Sequence, residues 1–107
     1  MSEPRKVTLA ESAEIIKTSE VPVVLAVGAP WCIDCRRAQP FYMAMGKEYG
    51  EKAVFLHADC DEEPELRTVY KIQHIPTMML FKKGEEQGRI VEVRSPSALR
   101  EFFNQYI

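Results

Sequence analysis

The sequence predicts an α/β domain with a mixed central sheet of about five strands and helices on both faces. Apolar runs typical of buried strands alternate with amphipathic helical patterns, and the last two strand patterns are joined by a turn at Lys83-Gly84. With 107 residues, 46% of them hydrophobic and 28% charged, the chain has room for one core, so we expect a single domain over residues 1–107.

A helix and a strand are predicted before the first cysteine. Residues 9–17 favour a short helix, whose apolar side comprises Leu9, Ala13 and Ile16. Residues 21–27 are continuously apolar, as expected of a strand buried on both faces, and Pro22 is tolerated near the start of such a strand. Gly28-Ala29-Pro30 is then expected to break the strand.

A longer helix and a second buried strand follow. The apolar stripe of the helix has core-type spacing and consists of Ala38, Tyr42, Met45 and Tyr49. Pro40 should kink this helix, and Gly50 is a plausible C-cap residue. Residues 53–58 favour a strand in which His57 shares a face with Phe55, while the opposite face carries Val54, Leu56 and Ala58.

The second half of the chain is predicted to contain a short helix, two strands and a final helix. The short helix covers residues 64–70, and its inward side chains are Leu66, Val69 and Tyr70. Residues 77–81 form a buried strand, and residues 89–93 form the return strand. Ser95 caps the last helix, Pro96 takes its first position, and its apolar stripe is Leu99, Phe102, Phe103 and Tyr106.

The most informative motif, Trp31-Cys32-Ile33-Asp34-Cys35, stands between the first strand and the longer helix. Two intervening residues in a first helical turn let both sulfurs meet with the geometry of a disulfide. The helix N-terminus carries partial positive charge and unpaired N–H groups, which favour a thiolate on the first cysteine. The motif therefore indicates a redox-active dithiol, with Cys32 as the nucleophile and Cys35 as the resolving thiol.

Two other uses of the cysteine pair are possible: half of a zinc site, or an inert structural bridge. Structural zinc usually takes four ligands, and Cys60, His57 and His74 form no second paired element, so we expect no metal and no organic cofactor. A bridge across two residues closes almost no loop and would add little stability. Cys60 itself is interpreted as an inert buried thiol, the alternative being a regulatory thiol that is open to oxidation.

Charge and hydropathy exclude several classes of partner. A formal net charge of -2 gives no general attraction to nucleic acid or to an anionic membrane surface. No apolar run approaches the roughly 20 residues that a spanning helix needs, and Met1 to Lys6 lack the apolar region of a secretory signal. Three cysteines, an odd number, argue against a secreted disulfide scaffold. We therefore expect a cytoplasmic protein, and a monomer.

Along nearly its whole length the chain resembles the thioredoxin family. The features that match are the buried strand, the Trp-Cys-x-x-Cys motif, Pro40, Asp61, Ile75-Pro76-Thr77 and Gly84. The resemblance implies the thioredoxin fold and dithiol–disulfide exchange with disulfide-containing protein substrates. It also implies an electron donor, such as a thioredoxin reductase or a small thiol, that recycles the protein.

The resemblance further implies a substrate-binding surface around the dithiol. It places a cis-proline, Pro76, opposite the cysteines and leaves the backbone of Ile75 free to pair with an extended substrate. Trp31 would cover one side of the dithiol and touch substrate, with its indole N–H bonded to Asp61. The alternatives are a trans proline that starts a strand and a tryptophan that belongs to the core.

Glu92 and Val93 are expected to complete this surface. Glu92 stands where the family has a glycine that allows close backbone approach, beside Arg89 and Arg94, and we expect it to change which partners dock. This departure puts ordinary thioredoxin partners in doubt, including thioredoxin reductase, but not the sulfur chemistry.

Other departures concern redox tuning. Ile33-Asp34 replaces the family's Gly-Pro, and the Asp34 carboxylate should disfavour a thiolate and make the couple more reducing, unless solvent screens it. Ala26 and His57 stand where the family has a buried acid, thought to help deprotonate the resolving cysteine, and its lysine partner. His57 then either relays protons to Cys35 or is a neutral core histidine with one hydrogen bond.

The sequence thus predicts a thiol–disulfide oxidoreductase that reduces protein disulfides. A disulfide oxidase or isomerase would use the same residues at a higher potential. A non-catalytic binding module would hold a partner on the surface of Trp31 and Pro76 without turnover.

Overall fold

A computed structural model describes residues 3–107 of the chain. Met1 and Ser2 lie outside the described residues. They are the first two residues of the segment Met1 to Lys6, in which no secretory signal is expected. The elements, in chain order, are β1 (Arg5–Lys6), α1 (Leu9–Thr18), β2 (Val23–Gly28), α2 (Ile33–Glu48), β3 (Val54–Asp59), α3 (Glu65–Val69), β4 (Thr77–Lys82), β5 (Glu85–Val91) and α4 (Pro96–Tyr106). Within the described residues, no helix combines the length and the apolar character needed to cross a membrane.

The five strands form one mixed sheet in the order β1-β3-β2-β4-β5. β3 runs parallel to both β1 and β2, whereas β4 is antiparallel to β2 and to β5. β2 is therefore the central strand, and it ends at Gly28, shortly before α2 begins at Ile33. The cysteine motif consequently lies at the C-terminal edge of the sheet, where the central strand passes into a helix.

Two buried clusters cover the two faces of this sheet. One contains side chains of α1 and α3, such as Ile16 and Leu66, and the other contains side chains of α2 and α4. The predicted apolar stripes of the second cluster are confirmed as buried, with Tyr106 only partly so: Ala38, Tyr42, Met45, Tyr49, Leu99, Phe102, Phe103 and Tyr106. The predicted fold class, a mixed sheet of five strands with helices on both faces, is confirmed.

The strands differ from the prediction in three places. β1 was not predicted, because its two residues, Arg5 and Lys6, are polar and show no apolar pattern. In the structure Arg5 pairs with Leu56 of β3. β2 covers Val23–Gly28 rather than residues 21–27, and it ends where the break at Gly28-Ala29-Pro30 was predicted. The carbonyl of Gly28 accepts the N–H of Cys60. The return strand is Glu85–Val91 rather than residues 89–93. Lys83 and Gly84, with φ of 51° and 84°, form a two-residue hairpin turn. β5 therefore pairs with β4 from Glu85 onward.

Two side chains point the other way from the helical pattern. Ala13 is exposed, and Ser12 is buried in its place because its hydroxyl bonds the carbonyl of Leu9 and the Tyr70 hydroxyl. Val69 is 55% exposed rather than inward. α3 is only five residues long, and Leu66 is its buried residue. Val69 therefore faces solvent.

Candidate active site

Cys32 and Cys35 lie at the start of α2 and are free thiols. Cys32 is the N-cap residue, and its Sγ accepts the backbone N–H of Cys35 at 3.2 Å. The Cys32 thiol also lies 3.9 Å from the carbonyl oxygen of Ile75, to which it donates. The helix N-terminus and the donated N–H both favour negative charge on the Cys32 sulfur.

The Cys35 thiol is held in its neutral form. Its pKa is raised to about 12, chiefly by burial, then by its hydrogen bond with Cys32 and by the charges of Cys32 and Cys60. The two sulfurs therefore differ in environment, although only two residues separate them. Cys32 is suited to attack first, and Cys35 needs to lose a proton before it can react.

Gly28 provides the space in which Cys35 sits. A Cβ at this position would lie 2.9 Å from the Sγ of Cys35 and 3.3 Å from its Cβ. The prediction of Gly28 as a strand breaker alone missed this role. The position of this glycine, at the end of the strand before the cysteine motif, could have indicated the role. Glycine in a strand often marks a site where another group approaches the backbone closely.

The loop that faces the dithiol contains the predicted cis peptide bond, between Ile75 and Pro76. The alternative of a trans proline is therefore wrong. The carbonyl of Pro76 accepts the N–H of Glu92 at 3.3 Å, which ties the end of β5 to this loop. Glu92 has a φ of 61°, in the left-handed region that favours glycine, and its side chain is exposed.

The exposed apolar side chains near Cys32 differ in part from the predicted set. Trp31 is 62% exposed and Ile33 is 61% exposed, so the interpretation of Trp31 as a core residue is wrong. As predicted, the indole N–H of Trp31 donates to the Asp61 carboxylate, at 2.6 Å. Val93 is only partly exposed because it packs against the cluster of α2 and α4. Val91 is the exposed valine at the end of β5, which the sequence pattern did not single out.

Asp34 points into solvent. Its side chain is 67% exposed, and its nearest charged partner is Arg37, at 4.0 Å. A carboxylate in this position is strongly screened. The effects that raise the pKa of Cys35 arise from burial and from the other two cysteines. An influence of Asp34 or Ile33 on the redox potential stays a prediction.

A cleft of about 270 Å³ opens beside Cys35, over the ends of β2 and β3. Ala26, Gly28 and His57 belong to its wall, together with Cys35 itself. Burial, and then the charge of Lys6, lower the pKa of His57 from the ordinary 6.5. Within residues 3–107 no side chain forms a hydrogen bond with the His57 ring, and its lowered pKa agrees with a neutral ring. The two predicted roles, a proton relay to Cys35 and a neutral core histidine, both stay predictions. The cleft places His57 and Cys35 on one connected surface.

Cys60 is buried at the end of β3, where its backbone N–H donates to Gly28. No group of three or more His, Cys, Asp or Glu side chains in the described part of the chain is arranged to hold a metal ion. Among the causes that raise the pKa of Cys35, the charge of Cys60 is the smallest. The interpretation of Cys60 as an inert buried thiol stays a prediction.

Comparison with known proteins gives one consistent family. The family model described as Thioredoxin matches residues 3–105. The chain is 36% identical over 94 residues to a thioredoxin of Rickettsia bellii, covering 88% of this chain and 89% of that protein. It is 35% identical over 94 residues, or 88% of this chain, to the chloroplastic M-type thioredoxin of Spinacia oleracea, of which it spans about half the length (52%). Plasmodium falciparum thioredoxin has a similar structure, with a TM-score of 0.88, 33% identity and coverage of 96% of this chain and 99% of that one.

Proposed function

Because this chain belongs to the thioredoxin family, we propose that it is a thiol–disulfide oxidoreductase that reduces disulfides of protein substrates through Cys32 and Cys35. The observation that carries the proposal is the position of the Cys32 sulfur. It caps the N-terminus of α2 and accepts the N–H of Cys35 at 3.2 Å, beside an exposed tryptophan. Cys32 itself is largely buried, so a partner would approach it past the exposed side chains of Trp31 and Ile33.

The reaction has two exchange steps. The Cys32 thiolate attacks one sulfur of the substrate disulfide, forms a mixed disulfide with it and releases the other substrate sulfur as a thiolate. The Cys35 thiol then loses its proton and attacks the Cys32 sulfur. This second step forms the Cys32–Cys35 bond and releases the second substrate thiolate, which takes up a proton. The substrate gains two electrons, and the protein loses two.

The substrate would dock on the apolar surface around Cys32. Trp31 and Ile33 expose large side chains next to the nucleophile, and Val91 exposes another at the end of β5. The backbone of Ile75 lies beside the Cys32 sulfur, where an extended substrate segment can pair with it. Pro76, Glu92 and Val93 are proposed to complete this surface. Pro76 is buried in the loop that faces the dithiol and Val93 is partly buried, so Glu92 is the exposed member, and its carboxylate would disfavour acidic substrate segments.

The direction of electron flow and the partners belong to the proposal as well. If solvent screening leaves it an effect, the Asp34 carboxylate between the cysteines would make the couple more reducing, which would suit a reductase. A thioredoxin reductase or a small thiol would return two electrons to the oxidised pair. The cytoplasmic location and the monomeric state stay predictions.

Reduction of insulin disulfides by dithiothreitol tests this function. The wild-type protein should accelerate the reaction, whereas Cys32→Ser should abolish the acceleration. Cys60→Ala is the matched control, since it removes the third thiol and leaves the dithiol in place, and it should retain catalysis. A protein that fails to accelerate the reaction as wild type would contradict the proposal.

Cys35→Ser separates catalysis from simple binding. This variant should lose turnover and accumulate mixed disulfides between Cys32 and protein substrates, which are visible as adducts in a non-reducing gel and disappear on reduction. A binding module would instead hold its partner without a covalent bond, so wild-type binding that persists with Cys32→Ser and forms no adduct in Cys35→Ser would favour that alternative.

A further inference from the structure

The proposed reaction leaves open which group takes the proton of Cys35. With a pKa of about 12, only about one Cys35 thiol in 10⁵ is ionised at pH 7. The resolving step would be slow if it depended on that fraction alone. A proton acceptor within hydrogen-bond reach, directly or through one water, would remove the limitation.

The cleft beside Cys35 contains few groups that could take this proton. The titratable side chains on its wall, apart from Cys35, are Lys6 from β1, Arg36 and Tyr42 from α2, and His57 and Asp59 from β3. Lys6 and Arg36 are cations without a free lone pair, and Lys6 is paired with Glu62 at 3.0 Å. Tyr42 donates its hydroxyl to the carbonyl of Leu56 at 2.6 Å, and burial keeps its pKa well above 10.0.

His57 and Asp59 are therefore the remaining acceptors. One oxygen of the Asp59 carboxylate accepts the N–H of Asp61 at 2.8 Å, so this side chain is engaged with the loop after β3. No hydrogen bond to the His57 ring is formed by any side chain or backbone group in residues 3–107. Burial and the charge of Lys6 keep that ring neutral at pH 7, and a neutral imidazole has a free lone pair.

The strand register brings His57 to the correct face of the sheet. Ala26 pairs with His57, and Gly28 pairs with Asp59, in neighbouring parallel strands. Side chains at Ala26, His57 and Asp59 therefore share a face with Gly28, over which the Cys35 sulfur sits. Asp59 is the nearer of the two acceptors in register, but one of its carboxylate oxygens already accepts the N–H of Asp61, whereas the His57 ring has no such partner. Neighbouring strands are about 4.8 Å apart, and alternate residues of one strand are about 6.8 Å apart. The Ala26 methyl group leaves the space between the ring and the sulfur open for water.

We propose that His57 accepts the proton of Cys35 during the resolving step, through water in the cleft that Ala26 leaves open. This inference rests on the proposed function and deepens it. The Cys35 proton passes to the water, and a proton of that water passes to the ring. The Cys35 thiolate then attacks the Cys32 sulfur of the mixed disulfide, and the substrate leaves as a thiolate. The imidazolium returns its proton to that thiolate or to solvent.

The proposal has a pH signature. A protonated ring cannot accept a proton, so the resolving rate should fall as the pH drops through the His57 pKa, which lies below 6.5. Above that pKa the rate should be nearly flat. Without the ring, the rate should follow the ionised fraction of Cys35 and rise about tenfold per pH unit through the neutral range.

Ellman's reagent separates the two steps in a Cys60→Ala background. Attack by Cys32 releases one thionitrobenzoate, and attack by Cys35 on the resulting mixed disulfide releases the second. His57→Gln should leave the first phase unchanged and slow the second by about 10²-fold at pH 7, a usual contribution of general base catalysis. Free imidazole should restore the second phase in His57→Ala, whose shortened side chain leaves room for it. His74→Gln, at the exposed second histidine, is the matched control and should behave as wild type.

Each outcome decides between the possibilities. A second phase that keeps its rate and pH profile in His57→Gln would overturn the inference. So would a second phase that slows in Asp59→Asn and not in His57→Gln, since Asp59 would then be the acceptor. Imidazole rescue of His57→Ala with no effect on His74→Gln would support it. Loss of the first phase in the wild-type protein would overturn the proposed function itself.

Discussion

Replacing Gly28 with alanine tests whether the position of the Cys35 side chain depends on its close contact with β2 at Gly28. The new Cβ would lie 2.9 Å from the Cys35 Sγ, whereas ordinary contacts begin at 3.4 Å. The sulfur must therefore move by about 0.5 to 1 Å, because the added methyl group would be fixed to the central strand. The backbone of Gly28 itself lies outside the left-handed region, so the effect is steric and not conformational.

Two magnitudes follow from this displacement. Overpacking of a buried site costs about 1–3 kcal/mol of unfolding free energy, which urea denaturation would measure. Misplacement of a reacting group by about 1 Å can slow a step by about 10²-fold, so the second thionitrobenzoate phase should slow by about 10- to 100-fold. The first phase, attack by Cys32, should change by less than about threefold, since the new methyl group contacts only Cys35.

Gly84→Ala is the matched control for this prediction. Gly84 has a φ of 84° and open space around it, so alanine there should cost about 1 kcal/mol through backbone strain and leave both phases unchanged. If Gly28→Ala kept the wild-type second phase, or slowed both phases equally, the geometric account of Cys35 would be refuted.

Three further predictions concern stability. Glu92→Gly should raise the free energy of unfolding, measured in urea, by about 0.5–1 kcal/mol, because glycine adopts the φ of 61° without the backbone strain of a glutamate. A decrease in that free energy would contradict this. Arg89→Leu should cost about 1–3 kcal/mol, because Arg89 pairs with Glu86 and also holds two loop carbonyls; an unchanged Tm would argue against it. The pKa of His57 is lower in the folded chain than the ordinary 6.5, so the unfolded chain binds more protons below that pH and stability should fall as the pH drops through this window. His57→Gln should lose this dependence in denaturation curves from pH 7 to pH 5, and an unchanged slope would refute it.

Periodicity made most of the fold predictable. The buried runs of β2, β3 and β4 and the stripes of α2 and α4 depend on local patterns that one sequence displays directly. β1 was not predictable in this way, since Arg5 and Lys6 are polar and their pairing depends on β3 being in place. The end of β5 was misplaced because the apolar alternation continues to Val93, while Glu92 has already left the extended conformation.

The candidate site was predictable where chemistry depends on residue type and spacing. The cysteine pair, the bond from Trp31 to Asp61 and the loop at Pro76 all follow from the motif and the family resemblance. The position of the Cys35 side chain over Gly28 depends on the distance between α2 and the end of β2, which no local sequence pattern encodes. The same holds for the cleft that joins His57 to Cys35, since it exists only through the register of β2 with β3.

The reduction potential of the Cys32–Cys35 couple tests the proposed reductase most directly. The protein would be equilibrated with mixtures of reduced and oxidised dithiothreitol or glutathione, quenched, and assayed by counting alkylated cysteines, with Cys60→Ala as the background. A midpoint of about −270 mV or lower is predicted for a reductase. A midpoint above about −200 mV would contradict the account and assign the protein to disulfide oxidation or isomerisation.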